Sequence, residues 1–176
     1  MEQSFTLPPS LTKAQRYEHF LADYALLMEG ETDWIAALAN TAAALHEAFG
    51  FFWVGFYLVK DAAWLSLGPF QGPVACTRIK HGRGVCGTAW AEGRTLIVPD
   101  VDQFPGHIAC SSASRSEIVV PIKDKQGIVL GVLDIDSDRL ASFDETDQQG
   151  LEQVVQILTR PTYDSECGEV LRGQGA

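Results

Sequence analysis

Two pairs of apolar segments in this chain are each joined by a turn too short to hold a helix. Residues 51–59 (FFWVGFYLV) and 64–70 (WLSLGPF) flank KDAA, and residues 117–122 (EIVVPI) and 128–136 (IVLGVLDID) flank DKQG. Parallel strands need a crossover of about a dozen residues or more, so both pairs read as hairpins and the sheet they build is antiparallel. Further strands are expected at residues 75–80 (ACTRIK) and 95–100 (TLIVPD). Between them, residues 82–93 (GRGVCGTAWAEG) read as a glycine-rich entry into a short helix.

Helical spacing lies outside this block. From residue 11 to 28, Tyr17, Phe20, Leu21, Tyr24, Leu27 and Met28 recur at threes and fours, with Gly30 just past the end. A second helix is expected from about 32 to 49, with Trp34, Leu38, Leu45 and Phe49 on one side and Gly50 as its stop. Residues 143–159 close the pattern, with Asp144 as cap and Leu151, Val154, Val155 and Leu158 as the buried stripe. Helices segregated from hairpin-connected strands give an α+β class, an antiparallel sheet flanked by helices. The opening residues, with Pro8 and Pro9, read as a loose arm, and the polar tail after Pro161 shows no pattern.

The balance of charge narrows the partners. With 23 acidic against 13 basic residues the formal net charge is −10, which repels phosphate backbones and anionic lipid. Nucleic-acid and membrane partners are therefore not expected. No segment approaches the ~20 apolar residues of a membrane span, and MEQSFTLPPS has neither the basic nor the apolar region of a signal peptide. A cytoplasmic location is expected, with Cys76, Cys86, Cys110 and Cys167 reduced at rest.

None of these cysteines forms a CxxC pair. Cys110 sits among Ser, Ala and Gly, with His107 before it and Glu117 after it, in the longest stretch without periodicity, residues 101–116. Such surroundings leave a thiol reachable, whereas structural cysteines lie among bulky apolar residues. Cys86 falls at a helix N-terminus, where exposed N–H groups favour a thiolate. Cys76, read in isolation, is a core residue of an alternating strand. His107, Cys110, Cys76 and Cys86 contain the types that bind zinc but lack paired spacing. A redox reading fits better, because a cysteine that becomes oxidised needs a second thiol to resolve it.

Asp134 and Asp136 alternate along one strand and so project from the same face, ~7 Å apart. Closure of the hairpin around DKQG brings Glu117 beside them. Three carboxylates at one sheet end repel one another unless a cation answers them, which suits a ligand carrying an ammonium group.

At this point the residues resemble a known family. GPFQGPVACTRIKHGRGVCGTAW, VPDVDQFPGHIACSSASRSEIVVPI and GVLDIDS are similar to the free methionine-(R)-sulfoxide reductases, which are built on a GAF domain, and the likeness covers roughly residues 14–158. It implies an arm at 1–13, a GAF-like catalytic domain at 14–159 and a tail at 160–176. It also implies an oxidoreductase in which Cys110 attacks the sulfoxide sulfur, free methionine leaves, and Cys76 resolves the resulting sulfenic acid as a disulfide. Cys86 belongs to the same redox set, and which of Cys76 and Cys86 pairs first stays open. Glu117, Asp134 and Asp136 would bind the substrate ammonium, one of the three, with Asp136 preferred, would serve as the acid, and Trp53 would pack on the substrate methyl. Thioredoxin is the implied reductant, no metal or organic cofactor is involved, and the family tends to pair into dimers. Two rival readings are a GAF small-molecule sensor, which needs a coupled output domain that this length leaves no room for, and a cysteine peroxidase, which needs no carboxylate cluster.

Overall fold

The computed structural model describes residues 4–106 and 112–160. Cys110, His107 and Cys167 lie outside the described residues. Six strands form one sheet: β1 (Trp53–Val59), β2 (Trp64–Gln71), β3 (Arg78–Lys80), β4 (Leu96–Val98), β5 (Ser116–Lys123) and β6 (Val129–Ser137). Their spatial order is β3-β2-β1-β6-β5-β4, and every pairing is antiparallel. The expected α+β class is the one observed.

Among the described residues four α-helices cover the sheet: α1 (Lys13–Leu27), α2 (Trp34–Phe49), α3 (Gly84–Glu92) and α4 (Glu145–Leu158). Local chemistry sets their ends. Thr12 and Gln15 form a capping box at α1, and Asp144 and Asp147 form another at α4. Asp33 accepts the Ala36 amide at 2.8 Å to start α2, and Gly50 ends it at φ 67°, a left-handed conformation that costs glycine little.

Strand alternation divides the interior into two layers. Val54, Phe56, Ile118, Val120, Leu133 and Ile135 point one way, into a core with Phe20, Tyr24, Leu38, Leu45 and Leu151 of α1, α2 and α4. Trp53, Tyr57, Val119 and Val132 point the other way, where α3 brings Val85, Cys86 and Ala89. Lys13 and Tyr17 tie α1 to α4, since the ammonium pairs with Asp147 and the phenol donates to the same carboxylate at 3.0 Å.

Two expectations need correction here. The arm is not loose over its described residues: Phe5 is buried, and the Glu47 carboxylate accepts from the Phe5 amide at 2.9 Å and the Ser4 hydroxyl at 2.8 Å. Strand β3 is shorter than the expected 75–80, beginning at Arg78. Cys76 therefore precedes the strand and is half-buried rather than a core residue. No helix among the described residues is long and apolar enough to cross a membrane.

Candidate functional site

Register brings the carboxylates together. Glu117 on β5 faces Asp136 on β6, and Val119 faces Asp134, so Glu117, Asp134 and Asp136 share the α3 face of the sheet at one end of the hairpin. On the other flank of β6, Trp53 faces Asp136 and Gly55 faces Asp134. Gly55 is required here: a side-chain carbon would lie inside contact distance of Phe70 and of the Trp53 ring. Trp53 is stacked between Phe70, at 5.4 Å, and Tyr57, at 6.0 Å, and its indole N–H donates to the Pro73 carbonyl at 3.0 Å. Its position beside the carboxylates follows directly from the alternation of residues 53–57.

Helix α3 closes the site from above. Cys86, in its first turn, is buried and free, and its thiol donates to Glu117 Oε1 at 3.8 Å. Helix α3 comes this close because Gly87 has no side chain; a Cβ there would collide with the Lys80 carbonyl oxygen of β3.

The electrostatics are those of like charges in a dry place. Burial first, then the charge of Asp134, pushes the Glu117 carboxyl well above the usual range. Burial and the charge of Asp136 do the same to Asp134. The Glu117 and Asp134 carboxylate oxygens lie within 4.8 Å of each other, so the charge on Asp134 favours a proton on Glu117. Burial raises Asp136 to about 6 against an opposing hydrogen bond from Ser114. Oδ1 of Asp134 is buried with no hydrogen-bond partner among the described residues. An unsatisfied carboxylate oxygen in such a setting costs free energy until a donor meets it.

Cys86 departs from the expected thiolate. Burial, then the charges of Asp134 and Glu117, pushes its thiol well above the ordinary value, overriding the helix N-terminus. The ligand atoms of Cys86, Glu117 and Asp134 lie within 4.8 Å of one another. A metal there would require the thiolate, which these surroundings oppose. An ammonium group, which only donates, meets the carboxylate oxygens without that cost.

Cys76 is disulfide-bonded, and its carbonyl accepts the Tyr57 hydroxyl at 2.9 Å. Tyr57 and Ser114 were not singled out from the sequence. The alternation that selects Trp53 also places Tyr57 on the same face, but nothing local marks Ser114. Of the predicted site residues, Trp53, Cys86, Glu117, Asp134 and Asp136 are brought together, Cys76 lies at the edge, and Cys110 lies outside the described residues.

Comparison with known proteins agrees with this architecture. The GAF domain family matches residues 33–160. The chain is 60% identical over 147 residues to GAF domain-containing protein A of Dictyostelium discoideum, covering 84% of this chain and 92% of that protein. It is 49% identical over 151 residues to the free methionine-R-sulfoxide reductase of Escherichia coli, covering 85% and 90% respectively. The crystal structure of the Neisseria meningitidis free methionine-R-sulfoxide reductase with its substrate superposes with a TM-score of 0.84 at 53% identity, covering 96% of this chain and 98% of that one. Its curled antiparallel sheet, its carboxylate-lined face and these similarities place the chain in the GAF-domain family, among the proteins that include the free methionine-R-sulfoxide reductases.

Proposed function

We propose that this chain reduces free methionine-(R)-sulfoxide to methionine. The observation that carries the reading is the trio of buried Glu117 and Asp134 and half-buried Asp136, with an Asp134 oxygen that no described residue meets and no described cation beside it. The α-ammonium of a free amino acid supplies one. A methionine sulfoxide inside a peptide has an amide there instead and would leave the carboxylates uncompensated, a cost of several kcal/mol. Trp53, fixed by its neighbours, offers an apolar wall for the methyl group. The similarity to named reductases, one of them with substrate bound, supports the same substrate.

In this cycle the Cys110 sulfur attacks the sulfoxide sulfur while a carboxyl of the trio, Asp136 by its intermediate affinity for protons, gives its proton to the sulfoxide oxygen. The hydroxyl then passes to Cys110 as the bond between the two sulfurs breaks, so that methionine leaves and Cys110 becomes a sulfenic acid. Cys76 then attacks that sulfur, water departs, and a disulfide joins the two chain sulfurs. That Cys76 is disulfide-bonded while Cys86 is free supports Cys76 as the resolving thiol. Thioredoxin returns two electrons and restores both thiols. A reducing compartment such as the cytoplasm suits this cycle.

The test couples thioredoxin and its reductase to NADPH oxidation with free R and S sulfoxides in separate runs. Turnover is expected with R, and turnover on S alone contradicts the proposal. Cys110→Ser should abolish turnover. Cys76→Ser, without reductant, should release one equivalent of methionine and stop, whereas full turnover by Cys110→Ser would refute the mechanism.

A further inference from the structure

Between Asp61 and Glu92 this acidic chain contains no carboxylate side chain, yet it holds Arg78, Lys80 and Arg83. All three are exposed, and none enters an ion pair among the described residues. They lie on β3, which is an edge of the sheet, and on the turn after it. The adjoining segment, residues 73–76, is held from the sheet side. Trp53 donates to the Pro73 carbonyl at 3.0 Å, Tyr57 to the Cys76 carbonyl at 2.9 Å, and the Leu67 amide to Thr77 at 3.1 Å. Between these anchors Val74 is 87% exposed, the most exposed of the large apolar side chains among the described residues. Two residues further on is Cys76, half-buried and disulfide-bonded.

We propose that Val74, together with the basic sheet edge of Arg78, Lys80 and Arg83, is the landing surface for a protein dithiol reductant with an apolar active-site centre and an acidic surround. The proposal rests on the reading above, in which the Cys76 disulfide forms at each turnover. A small thiol needs only access to a disulfide, but a protein must dock beside it. An aliphatic anchor already fixed in place loses little freedom on docking, and positive charges spread along the same edge orient the partner. The chain as a whole, at net charge −10, repels an acidic partner, so the carboxylate-free stretch steers it to this edge. The chemistry is ordinary exchange: a thiolate of the partner attacks Cys76 Sγ and expels the sulfur bonded to it, which takes up a proton. The partner's second thiol then attacks its own half of the mixed disulfide, freeing the Cys76 thiol. The partner departs oxidised by two electrons.

The experiment starts from the oxidised full-length chain without any sulfoxide. Reduction by thioredoxin is followed in stopped flow through protein fluorescence, and reduction by dithiothreitol is followed in parallel. Val74→Asp should slow the thioredoxin reaction by roughly tenfold or more while changing the dithiothreitol rate by less than about twofold. Arg78→Glu with Lys80→Glu should also slow thioredoxin alone, and raising salt from about 25 to 500 mM should slow the wild-type reaction several-fold. Unchanged thioredoxin rates overturn the landing surface. So does equal slowing with both reductants, which would mean that the substitution acts on the disulfide itself. A separate run measures sulfoxide turnover by wild type with dithiothreitol. Its absence would refute the reductase reading, while the thioredoxin rates still decide the docking surface.

Discussion

Asp134 is held where its charge is least welcome: buried, beside a second and a third carboxyl, with one oxygen that no described residue meets. Removing that charge should relieve the empty protein. Asp134→Asn is expected to raise the unfolding midpoint at pH 7–8, by about 1–3 kcal/mol of stability, while raising KM for the free sulfoxide at least tenfold. Calorimetry and steady-state kinetics on the same preparation check both halves. Asp136 gives the pH dependence. Its affinity for protons is raised in the folded chain, from an ordinary 3.8 to about 6, so the folded state holds the proton over a pH range where the unfolded chain has lost it. The associated stability is fully present below 3.8 and is lost as pH rises through about 6, an effect of order 2–3 kcal/mol. Protonating the sulfoxide oxygen needs that same protonated state. Above pH 6, kcat/KM should fall up to about tenfold per pH unit, and a flat profile between pH 5 and 8 would remove Asp136 as the proton donor. Cys86 acts in this account as a hydrogen-bond donor to Glu117. Cys86→Ala should therefore shift KM and its pH profile while leaving the single equivalent of methionine released by Cys76→Ser intact, which quantifying methionine in the double variant would show.

Among the elements, α3 decides how close the lid of the site comes. Gly87→Ala would press a methyl into the Lys80 carbonyl, so a loss of about 1–3 kcal/mol is expected in thermal unfolding, together with a higher KM as Cys86 is displaced. The elements also differ in how well the sequence announces them. Hairpins and capped helices are local: KDAA and DKQG, the Asp144 cap and the glycine after α2 declare themselves within a few residues, and the same-face Asp pair follows from alternation alone. Residues 75–77 do not declare themselves, because alternation cannot tell an edge strand from an extended segment pinned by distant side chains such as Tyr57. The same limit explains the error on Cys86. Its helix-terminal position is readable, but the burial and the two facing carboxyls that hold its proton come from β5 and β6, and only the closed fold brings them near.

At the scale of the whole molecule, one face of the sheet is devoted to stability and the other to chemistry. Leu151→Ala, on the helix-covered face, should cost about 2–5 kcal/mol yet leave kcat/KM within about twofold at temperatures where the variant stays folded. Urea unfolding and kinetics measured side by side would show whether the layers are separable. The likeness to GAF domains begins at residue 33, but Phe5, Tyr17, Phe20 and Tyr24 belong to the packed interior before it, and Tyr17 and Lys13 grip Asp147 at the far end of the chain. A truncation made at that family boundary would strip an aromatic wall from α2 and α4 and leave a sticky, half-built protein. Any shortened version intended for expression must keep the segment from Ser4 onward.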